Sequence, residues 1–82
     1  MANKHIAKKT GRLIARDMEC FMDYHFIETK IYKKHDEVEA DNVIMNLRHY
    51  IKSVRSSHSI TEMLTLEIDF YRTIAYALSM CK

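Results

Sequence analysis

Along most of this chain the apolar residues recur three and four positions apart, the period of helices that turn one face to protein. A first helix is predicted from about residue 11 to 34. Ile14, Met18, Phe21, Met22, His25 and Tyr32 fall near one face of it, with Arg12, Arg16, Glu19, Asp23 and Lys30 opposite. Cys20, Tyr24, Ile27 and Ile31 widen the apolar surface enough for more than one neighbour. A second helix is predicted over about 37–56, where Asp36 is placed to cap the first turn and Glu39 follows three residues later. Ile44, Leu47, Ile51 and Val54 keep the spacing of a buried seam, flanked by Val43 and Tyr50. Ser59-Ile60-Thr61-Glu62 fits a capping box and opens a third helix running to about residue 81. Its polar positions, Glu62, Thr65, Asp69, Arg72, Tyr76 and Ser79, form only a narrow stripe, so protein is expected around most of its circumference.

These elements predict an all-α fold: a three-helix antiparallel hairpin or bundle in one domain spanning residues 1–82, with a basic N-terminal tail over 1–10. Helices of roughly 20 residues are about 30 Å long, and a thin bundle of three leaves much apolar surface outside. Chains of this size bury little more than folding costs them in entropy. A helical homodimer, or a stable complex with another protein, is therefore expected. The candidate interface is Met63, Ile68, Phe70, Tyr71, Ile74 and Leu78 of the third helix, with part of the first.

Composition narrows the class. Among 82 residues there is one glycine, Gly11, and no proline, which removes the residues that hairpins and phosphate-cradling loops need. A hydrophobic content of 48% separates the chain from disordered sequences. The opening MANKHIAKKTGR lacks the apolar core of a secretory signal, and no stretch approaches membrane-span length, so a cytoplasmic location without membrane contact is expected. Cys20 and Cys81 then read as two reduced core thiols.

Nothing assembles into a reaction centre. His35 with Glu39, and His58 with Glu62, are four residues apart, but metal sites take three or four ligands, and both glutamates are better used as caps. No catalytic, metal or cofactor residues are assigned, no small-molecule substrate is evident, and no enzyme is expected. His25, in the apolar row of the first helix, is a candidate pH switch needing a partner such as Asp17, Glu28 or Asp69; a satisfied histidine at the core edge is the plainer reading. The formal charge is only +2, but Lys4, Lys8, Lys9, Arg12 and Arg16 precede the first acid, and Arg48, Lys52 and Arg55 make a second basic row. These are candidate nucleic-acid contacts of a small DNA-binding regulator. The second row also matches the dipole of its own helix, which is a structural reason for it. The methionines, among them Met18, Met22, Met45, Met63 and Met80, suit either core or an adaptable face.

The run from Lys30 through His35, Asp36, Glu37, Val38, Glu39, Ala40, Asp41 and Asn42 to Leu47, and the closing run Phe70 to Leu78, resemble the small biofilm-development and acid-resistance regulators of the YmgB/AriR type, the two-component-system connector proteins. The resemblance covers about residues 20–80. That family usually closes its first helix with glycine where this chain has His35. The resemblance implies a cytoplasmic helical dimer that regulates a signalling or transcription protein, with DNA a further candidate partner, and it supplies no catalytic residues. A phage or plasmid inhibitor of a host protein would share the same interaction chemistry.

Overall fold

The computed structural model describes residues 4–79, with side chains from Ile6 onward. All regular structure among them is helical: α1 (Lys4–Tyr24), α2 (Ile27–Lys34), α3 (Glu37–Ser56) and α4 (Ile60–Ser79). Two boundaries depart from expectation. Residues expected in a basic tail enter α1 from Lys4 onward, and the helix expected over 11–34 is two helices separated by His25 and Phe26. Phe26 takes a left-handed conformation, φ 52° and ψ 44°, and closes the junction by accepting from the Lys30 amide at 3.0 Å. The break has a packing cause. It re-aims the chain so that Ile27 and Ile31 both enter the core, at 2% and 0% exposure. Tertiary burial of two isoleucines outweighs the local cost of one left-handed residue.

The α3 start matches its sequence signal: the Asp36 carboxylate accepts from the Glu39 amide at 2.8 Å. At α4 the Ser59 hydroxyl accepts from the Glu62 amide at 3.2 Å, but the reciprocal half of the box is rerouted. Glu62 accepts from the hydroxyl of buried Ser57 instead, and Ser57 Oγ in turn accepts from the Ser59 amide.

The four helices all pack against one another. Glu19 of α1 pairs with Arg55 and Glu28 of α2 with Arg48, so α3 runs against them. Gly11 lies beside Met63, and Phe21 beside Tyr71, so α4 runs parallel to α1. The shared core contains Ala15, Met18 and Met22 from α1, Leu47, Ile51 and Val54 from α3, and Met63, Phe70 and Ile74 from α4. The molecule measures 49 × 19 × 18 Å, with a Cα radius of gyration of 13.8 Å. A compact chain of this length would have a radius of about 12 Å. An elongated shape exposes more side surface per residue, and that surface carries the candidate site.

Candidate interaction face

The face made by the parallel helices α1 and α4 is the most apolar side of the rod. On α4 a second row, distinct from the buried one, steps through Ile60, Leu64, Ile68, Tyr71, Ala75 and Leu78. Ile60, Leu64 and Ile68 are 40%, 46% and 55% exposed, and Tyr71 and Leu78 are half-buried. On α1 the corresponding outward row is Ile6, Thr10, Leu13, Asp17, Cys20 and Tyr24. Ile6, Leu13 and Tyr24 are all more than half exposed. Ile14 and Phe21 fill the groove between the two rows, the Phe21 ring meeting Tyr71 edge-on with centroids 5.1 Å apart. Single exposed apolar residues are ordinary; an unbroken run of them on α4, beside an α1 row in which Ile6, Leu13 and Tyr24 alternate with Thr10, Asp17 and Cys20, is not.

Burial raises the Tyr71 hydroxyl above its ordinary pKa, and the carboxylates of Glu67 and Asp17 push in the same direction. Asp17 and Glu67 border the face, and neither joins an ion pair among the described residues. Next to Tyr24, a shallow hollow is lined by Cys20, Asp23, Tyr24 and Phe26.

The expected interface set divides. Ile68, Tyr71 and Leu78 do reach this face, but Met63, Phe70 and Ile74 are 0%, 0% and 4% exposed and belong to the chain's own core. The correction follows from having two apolar rows on one helix: the inner row packs on α1 and α3, and only the outer row is available to another molecule. Leu64, Leu13 and Ile6 stand on the same face outside that set. Their three-and-four spacing was a signal that would have found them.

His25 is also corrected. It is exposed at the α1–α2 junction, its ring tilted 44° against Phe21 with centroids 4.5 Å apart, and it forms no ion pair with Asp17, Glu28 or Asp69. His35 is half-buried: its Nε2 lies 2.8 Å from the Ala77 carbonyl in the last turn of α4, and its Nδ1 3.7 Å from Glu39. Nε2 must carry the proton to donate there, and the contact satisfies a carbonyl at a helix end. Cys20 is an exposed thiol and not a core one; Cys81 and Met80 lie outside the described residues.

The candidate nucleic-acid residues divide between cations paired within the chain and cations exposed outside such pairs. Arg48 and Arg55 are engaged by Glu28 and Glu19, the latter at 2.8 Å. Lys8, Lys9, Arg12, Arg16 and Lys52 are exposed and outside those pairs. Lys9, Arg12 and Arg16 line a groove with Leu13, Glu19 and Arg55; the Lys4 side chain lies outside the described residues. No group of three or more metal-ligating side chains forms among the described residues, and no described helix is long and apolar enough to cross a membrane. Comparison with protein-family models, curated proteins and solved structures returned no match.

Proposed function

We propose that this chain is a non-catalytic regulatory or adaptor protein that works by binding protein through the α1/α4 face. The observation that carries this reading is the continuous outer row of α4, in which Leu64 and Ile68 stand about half exposed beside a second exposed row on α1. Apolar faces of this kind are a cost in water and an anchor in a complex. A helical dimer, a connector of bacterial signalling as the YmgB/AriR-type resemblance implies, and a phage or plasmid inhibitor of a host protein are all forms of this chemistry. Cross-linking in the native host tests it. The wild-type chain is expected to give a defined higher-mass adduct that disappears with Leu64→Glu and Ile68→Glu, while both variants keep wild-type helical circular dichroism. No adduct, or one indifferent to both substitutions, overturns the reading.

A second reading, a small DNA-binding regulator, draws on the exposed cations Lys8, Lys9, Arg12 and Arg16. It requires affinity that falls steeply with salt and weakens when Lys8, Lys9 and Arg12 become alanine. Absence of a gel shift at low salt discards it.

A further inference from the structure

The charges on α1 run against the helix dipole. From Lys4 to Arg16 it carries Lys4, Lys8, Lys9, Arg12 and Arg16 and no acid; from Asp17 to Tyr24 it carries Asp17, Glu19 and Asp23 and no base. The dipole favours acids in the first turn and bases in the last. α3 obeys that preference, with Glu37 and Glu39 at its start and Arg55 at its end. In α1 the reverse order calls for a different explanation, and only Glu19 of its charged side chains is paired within the chain among the described residues.

The outward row of the same helix, Ile6, Thr10, Leu13, Asp17, Cys20 and Tyr24, advances by four, three, four, three and four. That is the spacing of a coiled-coil seam, apolar at Ile6, Leu13 and Tyr24, and the spacing is symmetric about Ala15. A palindromic seam with opposite charges in its two halves is complementary to itself when inverted. We propose that the occupant of the α1/α4 face is a second copy of this chain, related by a twofold axis near Ala15, so that the two α1 helices lie antiparallel with Ile6 against Tyr24, Thr10 against Cys20 and Leu13 against Asp17. The proposal rests on the functional reading above and names its partner.

In this register each basic half faces an acidic half. Lys9 comes level, within one helical turn, with Asp23 of the second copy. Each contact occurs twice, as a self-complementary interface requires. Because Gly11 lies beside Met63 and Phe21 beside Tyr71, Ala15 stands at the height of about Leu66 on α4. The same axis therefore sets Leu64 across from Ile68 of the second copy, joining the two exposed rows in one contact. Phe26, whose left-handed backbone glycine would adopt more easily, keeps a 68% exposed aromatic ring beside Tyr24, where the end of the second α1 arrives.

Cysteine cross-linking in the full chain tests the register, with Cys81→Ser as background. Two copies of Cys20 would be separated by about 15 Å along the helix axis in the antiparallel pairing, too far for a disulfide. Thr10→Cys would stand opposite Cys20. Mild oxidation is expected to give a covalent dimer with Thr10→Cys, and none with Cys20 alone or with Thr10→Cys combined with Cys20→Ser. Lys9→Glu should weaken self-association several-fold, and adding Asp23→Lys should restore it. A covalent dimer through Cys20 alone means a parallel pairing and overturns the proposal. A wild-type dimer that gives no Thr10→Cys cross-link overturns the register while leaving the functional reading intact. A wild-type monomer whose cross-linked partner in the host is another protein, lost with Leu64→Glu and Ile68→Glu, overturns the second copy as occupant and again leaves that reading intact.

Discussion

Replacing Gly11 with alanine should destabilise the protein, against the ordinary rule for helices. Gly11 is the only glycine and lies buried inside α1, where glycine is about 1 kcal/mol worse than alanine. A Cβ at this position would stand 2.7 Å from the Val54 carbonyl oxygen and 3.0 Å from Met63 Cε. The methionine tip can move. The carbonyl cannot move freely, because it belongs to the last turn of α3 and accepts from the Ser57 amide that ends the helix. Admitting the methyl group therefore pushes α1 and α3 apart at the point where the α3–α4 turn begins. Overpacking of this kind costs about 1–3 kcal/mol, and subtracting the propensity gain of about 1 kcal/mol leaves a net loss of about 1 kcal/mol at the middle of the range and about 2 at most. In a domain this small that corresponds to a fall in Tm of about 5–10 °C. Thermal and urea unfolding followed by circular dichroism measure it. A Gly11→Ala protein more stable than wild type by about 1 kcal/mol would show that α1 and α3 do not approach this closely, and would refute the reasoning.

Phe26→Gly relieves the left-handed strain of an exposed residue and should stabilise the isolated chain by about 0.5–1 kcal/mol, net of the extra freedom of the unfolded glycine; a loss of stability in urea unfolding contradicts this. His35→Ala removes the Nε2 bond to Ala77, costing about 1 kcal/mol and speeding hydrogen exchange in the last turn of α4; unchanged exchange there would mean the contact holds nothing. The raised Tyr71 pKa means that the folded state keeps the proton more tightly than the unfolded chain, whose tyrosine titrates near 10.0. Its contribution is complete below that value and is lost as pH rises through the folded pKa. Tyr71→Phe should therefore flatten the loss of stability at alkaline pH and remove a late step from the phenolate absorbance titration; an unaltered titration counts against the packed environment of Tyr71.

Much of the fold is legible in the sequence because local signals and burial agree. Asp36 and Ser59 mark helix starts, and Ile44, Leu47, Ile51 and Val54 lie on the buried side of α3, Ile44 at 7% exposure. The junction at His25 and Phe26 is not legible: no glycine or proline announces it, and it exists because Ile27 and Ile31 are drawn into the core. The basic N-terminal segment looks like a solvated tail by charge alone, yet Ala7 is 4% exposed on its inner side. The candidate face is half legible. An excess of apolar residues on the last helix announces that something must cover them, but choosing which row stays outside requires the positions of α1 and α3, and that is why Phe70 exchanged places with Leu64. The role of His35 is not legible, because its partner, a backbone carbonyl forty-two residues away, has no sequence signature.

Sedimentation equilibrium of the purified wild-type chain, from the lowest detectable concentration upward, beside the surface variants Leu13→Glu and Ile68→Glu, addresses most directly the claim that the α1/α4 face is covered by protein. A concentration-dependent rise to twice the chain mass, weakened by salt and abolished in both variants with their helicity intact, is the predicted result. Wild type and variants sedimenting alike would contradict it.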